Sequence, residues 1–168
     1  IEIAYFDRGT IDEKELLTGG FWSVYYYQGA IYGTEIARGL DVLKLLPSEF
    51  LSTNEIAAAA LAYPAMGPSK LFNPQQQIPM AWPDMPIVAS AYVDQFERAK
   101  AMSSVTADNV RQLLSQLAGL IKANKSSEVG EVISSIKKEM KSVTADQTTV
   151  DRFQRTLEGI ASQSLASI

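Results

Sequence analysis

The chain has 168 residues, 46% of them hydrophobic and 20% charged, with a net charge of −4 and neither cysteine nor histidine. These totals predict a globular protein of one or two small domains, and they exclude disulfides, thiol nucleophiles and imidazole catalysis. The acidic balance, with a pI near 4.9, argues against a nucleic-acid partner. No apolar run reaches the length of about 18 residues that would predict a transmembrane helix.

The first 46 residues predict a small antiparallel sheet. Aromatic and β-branched residues are concentrated in short segments, and brief turns join these segments so that neighbours must run antiparallel. The predicted strands are residues 1–6, 22–27, 30–36 and 40–46. Large apolar side chains occupy both parities of the strands, so we expect each face of the sheet to need a covering layer. A blade of a β-propeller has this requirement.

Helices are predicted from residue 52 onward. Ser52 and Glu55 have the spacing of a capping box, and a run of alanines follows. Residues 63–86 contain six of the seven prolines among aromatic side chains, which predicts an extended strap packed on a surface. Four amphipathic helices then predict a bundle. Their expected N-termini are Pro86, Thr106, Ser126 or Ser127, and Thr144.

The pentapeptide Ser-Val-Thr-Ala-Asp occurs twice, at residues 104–108 and 142–146. In both places it comes just before apolar residues at helical spacing. Threonine suits an N-cap and aspartate suits a first turn, so the favoured interpretation is a helix start used twice, with Thr106 and Thr144 as the caps. The alternative is a duplicated helix-pair module.

The predicted architecture is therefore an α+β fold in three parts. Residues 1–47 form a four-stranded, propeller-blade-like sheet. Residues 48–85 form a short helix and a proline-rich linker. Residues 86–168 form an α-helical bundle.

Several stretches resemble the C-terminal region of bacterial secreted proteins built from LVIVD repeats, which are β-propeller-like. The matching pieces are EIAYFDRG at 2–9, GGFWSVYYYQGAIYGTEIARGLDVLKL at 19–45, PSEFLSTNEIAAA at 47–59, and NPQQQIPMAWP at 73–83 followed by VASAYVDQ at 88–95. The resemblance covers about the first 100 residues. It implies a terminal blade whose neighbours come from preceding blades or another chain, and a secreted, periplasmic or cell-surface location.

Aromatic residues are the candidate partner-binding residues. They are Trp22, Tyr25, Tyr26, Tyr27, Tyr32 and Trp82. Such residues on strands commonly pack in a core or between blades, and an exposed row would instead provide a stacking platform for sugars or a peptide. We predict a non-enzymatic binding or scaffold segment of a larger assembly. The alternatives are a carbohydrate- or calcium-dependent surface module and, third, a carboxylate-based enzyme fragment.

Charged residues near the sheet suggest no catalytic, metal or cofactor assignment. A calcium site needs several closely spaced oxygens, and the acidic residues of the first loop lack the EF-hand pattern, so a solvated loop is expected there. Those residues are Asp7, Asp12, Glu13 and Glu15. Arg38 is expected to form structural pairs with Glu35 and with Asp41.

Overall fold

The computed structural model describes residues 2–65 and 79–166, and within these residues the chain is α+β. A three-stranded antiparallel sheet comes first, and helices follow it. The elements are β1 (Phe21–Tyr27), β2 (Ala30–Glu35), β3 (Gly39–Leu43), α1 (Thr53–Ala60), β4 (Tyr63–Pro64), β5 (Met80–Ala81), α2 (Pro86–Arg98), α3 (Ser104–Lys122), α4 (Ser126–Glu139) and α5 (Gln147–Ala166). None of these helices is long and apolar enough to cross a membrane.

The main sheet has three strands in the order β1-β2-β3, so the predicted fourth strand at residues 1–6 is wrong for the part of it that is described. That segment does not pair with a sheet edge. The Arg38 guanidinium instead binds the backbone carbonyls of Arg8, Gly9 and Thr10, at 3.3, 3.1 and 2.6 Å. These contacts hold residues 8–10 against the turn between β2 and β3.

The β1–β2 turn fixes the register of the sheet. Gln28 and Gly29 both have positive φ, of 47° and 83°, as a two-residue turn matched to the strand twist requires. The turn also touches the helical part, because a Cβ added to Gly29 would lie 3.2 Å from the Cβ of Ala60. Pairing then runs regularly to Ser23, where one extra residue, Trp22, forms a bulge.

Helices α2 to α5 form a closed bundle, which confirms the helical half of the prediction. Helix α2 packs against α3 and α5, and α4 packs against the same two helices. Helix α1 lies on the outside of α2. The core includes Val93, Phe96, Val110, Leu114, Leu117, Ile136, Phe153 and Leu157. Phe96 and Phe153 meet edge to face with ring centroids 5.9 Å apart, a favoured aromatic arrangement.

The N-termini of α1 and α3 test two of the predicted N-caps. The capping box of Ser52 and Glu55 is confirmed. The predicted cap at Thr106 is wrong, because Ser103 accepts the Thr106 amide and the first pentapeptide lies inside α3.

The second pentapeptide stays outside its helix. Its Thr144 amide donates to the Ala101 carbonyl at 3.0 Å, and α5 begins only at Gln147, so Thr144 is not the cap. Asp146 accepts the amides of Thr148 and Thr149 at 3.0 Å each and begins the turn into α5.

The ends of the predicted strap form a two-stranded ladder, with Tyr63 opposite Ala81 and Pro64 opposite Met80. The middle of the strap, including Pro68, Phe72 and Pro74, lies outside the described residues.

Candidate functional site

The sheet exposes large apolar side chains on both faces. Trp22 is 81% exposed, Tyr25 69% and Tyr27 62%. Tyr26 and Tyr32 are also exposed, so five of the six predicted partner-binding residues lie together on this sheet. Contiguous exposed apolar surface of this kind marks interaction sites in proteins.

We call the face that carries Tyr25, Tyr32 and Val42 the tyrosine face. Tyr25 lies opposite Tyr32 on β2, and Tyr32 lies opposite Val42 on β3, so the three form one row across the sheet. A parallel row contains Ser23, Thr34 and Leu40, and the two hydroxyls are 3.0 Å apart. The tyrosine face is therefore mostly apolar, with a hydroxyl pair beside the ring of Tyr25.

The opposite face of the sheet is partly covered by residues 6–10, which we call the N-terminal segment. Phe6 packs on Phe21 with ring centroids 6.4 Å apart, and Arg8 binds Asp41 at 3.2 Å. Phe21 in turn lies on Gly33, where an added Cβ would come within 2.6 Å of Phe21 Cδ1. A side chain at residue 33 would therefore clash with this ring, and glycine avoids the clash.

Glu35 joins the residue before β1 to the turn between β2 and β3. The side chain is buried, and its carboxylate accepts the amides of Gly20 at 2.9 Å, Ala37 at 3.0 Å and Arg38. The Gly20 amide, followed by those of Arg38 and Ala37, outweighs burial and lowers the pKa of Glu35. The expected pairing of Arg38 with Asp41 is wrong, because Asp41 is bound by Arg8 and the Arg38 guanidinium reaches backbone carbonyls.

Trp82, the sixth predicted residue, lies on the helical part of the molecule. It lines a groove of about 300 Å³ between α1 and α2, which we call the α1–α2 groove. The groove is lined by Leu51, Glu55, Ala58, Ala59, Trp82, Val88, Ala91, Tyr92, Gln95 and Arg152. The structure therefore separates Trp82 from the tyrosine face and places it in a second, smaller surface feature.

A network of acids and arginines joins α1, α2 and α3, and the sequence interpretation missed it. Asp94 is 9% exposed and accepts from Ser52 Oγ at 2.6 Å and Asn54 Nδ2 at 2.9 Å. It also accepts from Arg111 Nε at 3.0 Å and Nη2 at 2.8 Å. Arg111 binds Glu97 as well. Burial opposes the charge on Arg111, but the bonds from Glu97 and Asp94 outweigh it and raise the pKa of the guanidinium.

A second pair in this network joins Glu55 to Arg98. The guanidinium donates to both carboxylate oxygens, at 2.7 and 2.5 Å. Burial acts to raise the pKa of Glu55, yet the bonds from Arg98 and the Ser52 amide outweigh burial and lower it. Each buried carboxylate of the network is thus neutralised by an arginine. Removing one partner of such a pair would leave the other charge uncompensated at the junction of the helices, which is strongly destabilising.

The acidic loop at residues 7–15 uses its carboxylates to shape the backbone. Asp7 Oδ1 accepts the Gly9 amide at 2.8 Å, and Asp12 Oδ1 accepts the amides of Lys14 at 2.7 Å and Glu15 at 2.9 Å. Those two amides lower the pKa of Asp12. Across residues 2–65 and 79–166, no group of three or more acidic side chains is close enough to hold a metal ion.

No protein-family model, curated protein or solved structure matches the chain. The resemblance to LVIVD-repeat proteins therefore stays a prediction.

Proposed function

We propose that this chain is a non-enzymatic scaffold segment whose sheet packs against protein layers of a larger assembly. The observation that carries the proposal is the tyrosine face, a row of Tyr25, Tyr32 and Val42 left uncovered on a well-packed α+β frame. The resemblance to a terminal propeller blade supports a neighbouring β-sheet as the covering layer, and with it a secreted, periplasmic or cell-surface location.

The energetics favour such a partner. Fully burying one large apolar side chain contributes about 1.5–3 kcal/mol. Tyr25 and Val42 are 69% and 56% exposed, so most of that contribution is still available to a second surface. Tyrosine also suits an interface, because its large ring is ordered at a low cost in conformational entropy.

The carboxylates support a structural use of charge. Glu55 and Asp94 are bound by Arg98 and Arg111, and Glu35 is bound by three backbone amides. A carboxyl group that acts as a general acid needs a pKa raised toward neutral pH. The pKa of Glu35 and that of Glu55 are instead lowered, so neither group suits that role.

The test places a charge on the proposed interface. We expect Tyr25→Lys and Val42→Lys to leave the fold intact, because both side chains are exposed, and to release the chain from the assembly purified from its source. Sedimentation velocity would report the release. The matched control is Val105→Lys, an exposed valine on α3, which should not change the sedimentation coefficient. If the tyrosine-face variants stay in the assembly, the proposed interface is wrong.

A carbohydrate-binding surface is a second candidate, favoured by the exposed Tyr25–Tyr32 pair beside the Ser23 and Thr34 hydroxyls. Aromatic rings stack on sugars while hydroxyls accept and donate hydrogen bonds. The test is binding to an array of neutral oligosaccharides. Tyr25→Ala should abolish any signal, and Trp82→Ala should not, because Trp82 lines the α1–α2 groove. An array without signal would remove this candidate.

A further inference from the structure

The α1–α2 groove has a floor made of small side chains. Ala58 and Ala59 on α1 lie beside Ala91 and Val88 on α2. Alanine side chains allow two helices to approach closely and leave the space above the contact open, so the α1–α2 groove is shallow and mostly apolar. Trp82 and Tyr92 also line the α1–α2 groove, so part of its lining is aromatic.

One cationic side chain, that of Arg152, lines the α1–α2 groove. Arg152 of α5 is exposed, and the ion pairs among the described residues leave its guanidinium without a carboxylate. Glu55 also lines the groove, but its charge is matched by Arg98. Arg152 is therefore the charged side chain of the groove lining that no described ion pair neutralises, on a chain whose net charge is −4.

We infer that the α1–α2 groove binds a small carboxylate with an apolar body, the anion bound by Arg152 and the body lying on the alanine floor against Trp82. A guanidinium is well suited to carboxylates because its fork of donors matches the two oxygens. The volume of about 300 Å³, at about 30 Å³ per non-hydrogen atom as in liquid water, accommodates about ten such atoms. A medium-chain alkyl carboxylate has this size. The inference is independent of the proposed interface on the sheet.

Tryptophan fluorescence tests the inference on the full chain. The protein has two tryptophans, so a Trp22→Phe variant makes Trp82 the reporter. Octanoate should shift the Trp82 emission to shorter wavelength as its alkyl chain displaces water from the indole. At equal concentration octanol, which has the same chain without the charge, should bind about fivefold more weakly, because an exposed ion pair contributes modestly. Added salt should narrow this difference.

Two arginine variants complete the test. Arg152→Gln should remove the preference for octanoate over octanol. Arg155→Gln, the matched control one turn further along α5, should preserve it, because Arg155 lies outside the residues that line the groove. The inference is overturned if octanoate leaves Trp82 unchanged, if octanoate and octanol bind equally, or if both arginine variants lose the preference alike.

Discussion

Asp94 is the most connected carboxylate in the helical part, and its removal should be costly. Asp94→Ala leaves the Ser52 hydroxyl and the Asn54 amide without their acceptor, at about 1 kcal/mol each. Arg111 also loses two bonds but keeps Glu97, and its side chain is 30% exposed, so we expect about 1 kcal/mol more. The free energy of unfolding should therefore fall by about 3 kcal/mol.

Urea unfolding of the full chain, followed by circular dichroism, measures this loss. The matched control is Asp108→Ala, because Asp108 binds the same guanidinium at 3.0 Å but is 76% exposed. An exposed pair of this kind contributes at most about 0.5 kcal/mol. If the two variants differ by less than about 1 kcal/mol, the network does not hold α1, α2 and α3 together as argued.

Two further predictions concern packing and acid stability. Gly159→Ala places a Cβ only 2.7 Å from Asp84 Cβ and should lower the free energy of unfolding by about 1–3 kcal/mol. The control Gly130→Ala, which has nothing within 4 Å, should raise it by about 0.5–1 kcal/mol. Equal effects of the two variants in urea unfolding would show that the Asp84 contact does not constrain residue 159. The pKa of Glu55 is lower in the folded protein than in the unfolded chain, where it is about 4.3. The contribution of Glu55 to folding stability is therefore fully present above the unfolded pKa and is lost as pH falls through the folded pKa. Glu55→Gln should therefore destabilise strongly at about pH 6 and weakly at about pH 3; a constant difference would contradict the argument.

Local sequence patterns predicted the elements whose residues interact with near neighbours. The three hairpin strands follow from short aromatic runs and the Gln28-Gly29 turn, and α1 follows from the capping box at Ser52. The four bundle helices follow from apolar residues at helical spacing. The sequence failed at Thr144, where a hydrogen bond to a distant loop overrides a good local cap.

The contacts that position the candidate sites are long-range, which is why the sequence missed them. Arg38 reaches back 28 to 30 residues to hold the N-terminal segment. Asp94 and Ser52 are 42 residues apart. No spacing rule joins such residues, and no local pattern indicates that Trp82 and Arg152 line one groove.

The central claim is that the tyrosine face is covered in the working assembly, and hydroxyl-radical footprinting tests it most directly. The protein purified in its assembly would be compared with the 168-residue chain alone. We expect Tyr25 and Tyr32 to be labelled in the isolated chain and protected in the assembly, with Met85, an exposed residue beside α2, labelled equally in both. Equal labelling of Tyr25 and Tyr32 in the two samples would contradict the account.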